Sequence, residues 1–325
     1  MDVDVVIVNW NAGPLLEQCL ESLNEFALQS ISAVVLVDNA STDGSVEECN
    51  GIDLPIKVIR NRENRGFALA CNQGAALCTA KYILFLNPDT RVFQNSLTCP
   101  IRFMENSKNA QVGICGIQLV DEQNNVSRTC MRFPAVGRFF AQATGLNRIP
   151  GMRGWGISMR EWDHLASKEV EQVIGAFFFT RRALFEDLGG FDERFFVYFE
   201  EVDFSLRAKD AGWNTVYLSD GQAFHLGGGT TQQIKATRLF YSLRSRLLYG
   251  FKHFSLGKAW LLLAVTLVVE PIGRSFYGIF VSLVREPRFA FRDLKETWTG
   301  YAMIIGWLGK RAFNRMTVQF SRQEP

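Results

Sequence analysis

Four short apolar runs between Val3 and Leu86, separated by helical patterns and each followed by polar residues, restrict the folds open to this chain. Val3 to Asn9 is rich in Val and reads as a buried parallel strand. Residues 14–28 follow with Leu16, Leu20 and Leu23 at helical spacing. Ala33 to Val37 is a second strand closing at Asp38, and Ser41 to Cys49 reads as a short helix capped by Ser41 or Thr42. Ile56 to Ile59, the Ala-rich helical stretch Gly66 to Cys78, and the strand Tyr82 to Leu86 complete the series. Such alternation predicts an α/β fold with a doubly wound, mostly parallel sheet. Ligands of these sheets bind beyond the C-terminal strand ends. Here the ends carry Asn9-Trp10-Asn11, Asp38 to Ser41, Asn61 to Asn64 and Asn87-Pro88-Asp89, which together predict a nucleotide crevice.

Apolar residues make up 47% of the 325, with 27 Phe, so a large core is expected and global disorder is excluded. Net charge is split. Residues 1–234 hold 20 Lys and Arg against 28 Asp and Glu, whereas residues 235–325 hold 15 against 5. This divides the chain into a catalytic domain over 1–234 and a basic helical extension over 235–325. Its basic residues alternate with apolar stretches, which favours an anionic membrane surface over nucleic acid as partner. The seven cysteines form no CxxC or Cys/His cluster and read as reduced structural thiols. Met1 runs directly into a strand pattern, so no secretory signal is expected.

Asp38 closes a strand where a carboxylate can accept the imide N–H of a uracil or thymine. The glycine of Asn64-Arg65-Gly66 permits close backbone approach, and Arg65 can meet phosphate, although a plain turn explains the same residues. Asp89 projects from a strand end, as a Mg²⁺ or Mn²⁺ bridging two phosphates requires; Asn87-Pro88-Asp89 is also turn-forming. Around residue 200 aromatics alternate with acids, and Glu201 or Glu200 can take the proton of an acceptor hydroxyl. Their mutual repulsion raises at least one pKa. Asp203 has Arg207 four residues on, a structural helix pair. His225 precedes Gly227-Gly228-Gly229 and is either a buried structural group or a further metal contact.

These stretches, with Val6 to Asn11, Val37 to Ser45, Asn64 to Ala68, Leu86 to Asp89, Gly175-Ala176-Phe177 and Gly190 to Arg207, resemble the inverting family 2 glycosyltransferases of GT-A fold. The bacterial rhamnosyltransferase-like branch is the most similar. The resemblance spans roughly residues 3–230. It implies that Asp38 binds the base, with Asn9, Asn11 and Gly66 beside it, and that Asp89 and His225 hold the metal. It implies Glu201 as the base. Two positions depart: Asn87 stands where many relatives carry Asp, removing a charge from the metal site, and Glu201 replaces Asp, which leaves Glu200 as an alternative. It further implies L-rhamnose transfer from dTDP-L-rhamnose to a lipid-linked glycan at the cytoplasmic face of a bacterial inner membrane. A UDP-sugar hexosyltransferase, a transferase to polyprenyl phosphate, and a non-catalytic membrane scaffold are the alternatives.

In the extension, Ala259 to Val269 is apolar, but Glu270, Pro271 and Arg274 interrupt before Phe276. A spanning helix is therefore not expected. Lys252, Lys258, Arg285, Arg288 and Arg292, with Trp260, Trp298 and Trp307, suit helices lying peripherally in a membrane interface, the alternatives being a homo-oligomer interface or a helical pack against the catalytic domain.

Overall fold

The computed structural model describes residues 2–49, 51–227, 235–284 and 287–310, with backbone alone for 280–284 and 287–293. Gly228, Gly229 and Arg285 lie outside the described residues, as do the side chains of Arg288 and Arg292. The chain begins β1 (Val3–Asn9), α1 (Pro14–Ala27), β2 (Ile31–Asp38), α2 (Ser45–Glu48), β3 (Ile56–Arg60), α3 (Phe67–Ala75) and β4 (Tyr82–Leu86). Next come β5 (Thr90–Val92), α4 (Thr98–Glu105), β6 (Val112–Val120), β7 (Val126–Ser127) and α5 (Val136–Thr144). β8 (Lys168–Val170), β9 (Phe177–Arg181), α6 (Arg182–Asp187), α7 (Glu200–Asp210) and β10 (Asn214–His225) follow. The C-terminal helices are α8 (Lys235–His253), α9 (Leu256–Ala264), α10 (Glu270–Val284) and α11 (Pro287–Lys310).

Two compact units emerge: Met1–Phe133 with Ser158–Phe196 and Glu200–Thr230, and Pro134–Ile157 with Val197–Phe199 and Thr231–Pro325. In the first, the sheet runs β3-β2-β1-β4-β9-β6-β10-β5, with β7 on β6 and β8 on β10. The four strands legible in sequence pair in parallel, while β9 joins antiparallel to both β4 and β6. The sheet is thus mixed. Val3, Val5 and Ile7 of β1 enter one core with Leu16, Cys19, Leu20 and Leu23 of α1. Val6 and Val8 enter another with Ala68, Ala70, Cys71 and Ala75 of α3. Helices cover both faces of β1 and β4, which is why these strands are apolar almost throughout. Asp4 of β1 is buried against the Thr79 and Ala80 N–H groups, whereas the edge strand β3 keeps Lys57 and Arg60 exposed. On the α3 face, Phe85, Phe178, Phe185, Phe191 and Phe204 pack at ring-centroid separations of 4.9 to 6.4 Å. The seven cysteines are free and six are buried.

In the second unit, Phe139, Leu243, Leu247, Leu262, Val265, Tyr301 and Ile304 form the core. Pro134–Ile157 packs here with the C-terminal helices, outside the expected boundary at residue 235. The expected interruption at Glu270 is not a break. A π-turn over Val265–Val269 joins α9 to α10, and its wider turn accommodates Pro271, which lacks an N–H. Leu256–Ile279 is therefore one helical run of 24 residues, long and apolar enough by length and composition alone to cross a membrane. Glu270 is buried and paired with Arg246 and Arg274. Burial pushes its carboxyl up, but the two guanidinium groups outweigh this and hold it below the usual range.

Candidate active site

Parallel register aligns the polar strand ends at one sheet edge: Asn9 lies opposite Asp38, Asp38 opposite Arg60, and Ile7 opposite Leu86. Asp38 is buried, accepts the Ser41 N–H at 3.1 Å, and has Arg60 Nη1 3.9 Å away. Asn11, at φ 52°, is exposed and accepts the Thr42 N–H at 2.7 Å. Asn9, expected among the donor contacts, lies beneath the loop instead. It is fully buried, and its amide donates to Ser41 Oγ at 3.0 Å and Ser45 Oγ at 2.9 Å.

Ser41 is likewise not the helix cap. α2 begins only at Ser45, and the Ser41 hydroxyl oxygen accepts from Asn9 and from the Asn11 N–H. Asp43, not singled out in the sequence, closes this loop. It accepts from the Ser45 N–H and hydroxyl at 3.1 and 2.7 Å and from the Gly13 N–H at 2.8 Å. Burial pushes the Asp43 carboxyl up, but the Ser45 and Gly13 bonds hold it below the usual range.

Asn39 is the second residue missed by sequence reasoning. Its amide donates to Asn64 Oδ1 and the Gly66 carbonyl at 3.0 and 3.2 Å. Its oxygen accepts from Asn61 Nδ2 and the Arg65 N–H at 3.1 and 3.0 Å, so two donors and two lone pairs are used. The recurrence of Asn at positions 39, 61 and 64, on adjacent strand ends, was the available signal. Arg65 is thereby pinned by its backbone, with an exposed side chain. Gly66, read as a point of close backbone approach, has φ 89°, and the approaching group is Phe196. A Cβ at Gly66 would stand 2.5 Å from the Phe196 carbonyl oxygen. That oxygen also accepts the Phe67 N–H at 2.6 Å. Asn72 of α3 exchanges two hydrogen bonds with the Phe191 backbone at 2.8 and 2.9 Å, fixing the loop that leads toward α7.

Asn87 opens a turn closed by the Thr90 N–H on its carbonyl, and its own N–H donates to Ala176 O at 3.0 Å. The turn-forming and site-forming readings of Asn87-Pro88-Asp89 thus describe the same structure. β5 then pairs antiparallel with the end of β10, placing Thr90 opposite His225. This brings together two side chains far apart in sequence: His225 Nε2 lies 3.3 Å from Asp89 Oδ1. Both residues are largely buried, and Nε2 has no hydrogen-bond partner among the described residues. An orphaned imidazole nitrogen facing a carboxylate fits a divalent cation. Among the described residues no cluster of three His, Cys, Asp or Glu forms, so the pair would supply two ligands and phosphate or water oxygens the rest.

α7 opens with Glu200 and Glu201. Glu201 is half-buried and its Cγ lies 4.0 Å from where a Cβ on Gly175 would sit, one residue before the Ala176 carbonyl bound by Asn87. Glu201 and the Asn87–Asp89 turn therefore share the Gly175-Ala176 segment. Glu200 is buried, with Oε2 lacking a hydrogen-bond partner among the described residues. Burial, and then the Glu201 charge, push its carboxyl well above the usual range. Asp203 is fully buried and accepts from Arg207 Nε at 2.8 Å, as the spacing indicated.

The family model described as glycosyl transferase family 2 matches residues 4–189. The N-acetylglucosaminyl-diphospho-decaprenol L-rhamnosyltransferase of Mycobacterium tuberculosis (strain ATCC 25618 / H37Rv) is 27% identical over 252 residues, covering 72% of this chain and 79% of that protein. Rhamnosyltransferase WbbL of Escherichia coli (strain K12) is 26% identical over 172 residues, 52% of this chain and 61% of the relative. Among solved structures, the mannosyltransferase PcManGT from Pyrobaculum calidifontis, in complex with GDP-Man and Mn²⁺, superposes with a TM-score of 0.56 at 16% identity. It covers 93% of this chain and 86% of that one. With the family model spanning more than half of the chain and the GT-A-type architecture matched in space, this protein belongs to glycosyl transferase family 2.

Proposed function

We propose that the protein transfers a sugar, with inversion, from a nucleotide-diphosphate donor to a lipid-linked glycan, and that the donor is dTDP-L-rhamnose. The observation that carries this reading is the Asp89–His225 pair at the sheet edge where Asp38 ends its strand. The names of the mycobacterial and Escherichia coli relatives support rhamnose and, for the former, a diphospho-polyprenyl acceptor. Asp38 and the Asn11 loop hold the base, while Asn9 and Asn39 position those loops from below. Asp89 and His225 would hold Mg²⁺ or Mn²⁺, whose charge would stabilise the departing diphosphate. Glu201 takes the proton as the acceptor oxygen bonds to the anomeric carbon and the bond to the diphosphate breaks, the electron pair leaving with it. Glu200 is buried and its carboxyl is pushed well above the usual range by burial and then by the Glu201 charge, so Glu201 is preferred for that task. The first unit, which takes most of residues 1–234 but neither Pro134–Ile157 nor Val197–Phe199, acts as the catalytic domain. The extension over 235–325 holds the enzyme peripherally at the cytoplasmic face of the inner membrane.

The test is release of nucleoside diphosphate by the full-length protein with bacterial membranes, across a panel of nucleotide sugars with and without Mn²⁺. Turnover with dTDP-L-rhamnose is expected. Glu201→Gln should lower it by roughly 10²- to 10⁴-fold, and His225→Ala should raise the Mn²⁺ concentration required. Undiminished turnover in Glu201→Gln overturns the base, and equal turnover with every uridine donor overturns the sugar nucleotide.

A further inference from the structure

The run Leu256–Ile279 sorts its side chains by face. Inward, Leu262 and Val265 join the core with Leu243 and Leu247. Glu270 also turns inward, held by Arg246 and Arg274. Outward, Leu261, Val268, Ile272 and Phe276 fall on one side of the helix and are 56, 56, 50 and 70% exposed. At 1.5 Å per residue this stripe is about 23 Å long. Single exposed apolar residues are ordinary on a protein surface, but a continuous row marks a contact face.

Charge identifies the occupant. Lys258 and Arg274 are exposed on the same run, and Lys295 and Lys310 on α11. Residues 235–325 carry 15 Lys and Arg against 5 Asp and Glu. An apolar row on a run that also exposes Lys258 and Arg274, within a strongly basic extension, fits the headgroup–acyl boundary of an anionic bilayer. The opposite side of the run packs in the core that includes α8, whose Lys235, Arg238, Arg244, Arg246 and Lys252 would enter hydrocarbon if the run crossed.

We propose that the face formed by Leu261, Val268, Ile272 and Phe276 lies in the plane of an anionic membrane without crossing it. Its purpose rests on the lipid-linked acceptor proposed above, but vesicle binding needs neither donor nor acceptor, so the two readings fail separately.

The experiment is co-sedimentation of the full-length protein with vesicles of phosphatidylcholine alone or mixed with phosphatidylglycerol. Binding is expected to the anionic vesicles, to weaken with salt, and to be released by alkaline carbonate. Phe276→Glu and Ile272→Glu should each weaken it about tenfold or more. Val268→Ser is a milder variant if either charge disturbs folding, and an unaltered thermal shift with nucleotide diphosphate verifies the fold. Vesicle binding by the variants equal to the parent overturns the proposal. So does carbonate-resistant retention, which means a spanning helix. Absence of vesicle binding, with a dimer that Phe276→Glu makes monomeric, assigns the face to a second copy and overturns it as well.

Discussion

Gly66→Ala tests how the donor loops are held. Gly66 has φ 89° and ψ 164°, a region occupied almost only by glycine, so any side chain costs about 1–3 kcal/mol in backbone strain. A Cβ would also stand 2.5 Å from the Phe196 carbonyl oxygen and 2.8 Å from its ring. The oxygen cannot retreat without losing the Phe67 N–H bond at 2.6 Å. Overpacking of this kind costs about 1–3 kcal/mol, so the two terms together predict a loss of about 4 kcal/mol. Gly189→Ala is the matched control, because φ is 71° and no atom lies within 4 Å of the added Cβ. It should cost only the backbone part, about 1–2 kcal/mol. Urea unfolding of both variants, followed by tryptophan fluorescence, measures the difference. If Gly66→Ala costs no more than Gly189→Ala, the close approach of Phe196 is not what selects glycine, and the reasoning fails.

Two further outcomes follow from buried carboxyls. Glu200 has a raised pKa in the folded state, so its contribution to stability is full below the unfolded value of about 4.3 and is lost as pH rises toward the folded value. Glu200→Gln should therefore stabilise at pH 8 more than at pH 5, and equal effects at both would refute burial as the cause. Glu270 is the opposite case. Its folded pKa is lowered, so its contribution is present above about pH 4.3 and is lost as pH falls through the folded value. Glu270→Gln leaves Arg246 buried without its carboxylate and should cost about 3–5 kcal/mol at pH 7; a loss below about 1 kcal/mol in urea unfolding would refute the pairing.

The parallel half of the sheet was legible because β1, β2 and β4 are covered on both faces and carry near-continuous apolar runs, while the edge strand β3 was marked by Ile56, Val58 and Ile59. The antiparallel strands were not. β5 and β8 have three residues each, too few for a periodic signal, and their pairing depends on β10, a distant strand. Asp89 could be found by its place after a strand, whereas the bond between its role and His225 required the register that sets Thr90 opposite His225. Loop chemistry was the weakest reading, because Ser41, Thr42 and Asp43 are all competent caps and only their geometry separates them. Glu270 appeared in the sequence as an interruption since composition does not say which way a side chain turns.

The amide network around Asn39 has a consequence for how pH acts on this enzyme. Asn9, Asn39, Asn61, Asn64, Asn72 and Gln73 hold the strand-end loops through groups that neither gain nor lose a proton across the physiological range. This amide part of the scaffold is thus electrically indifferent to pH, and Asp43, which closes the Gly13 loop, is held ionised by its own hydrogen bonds. Changes of activity across that range then report on groups other than these amides.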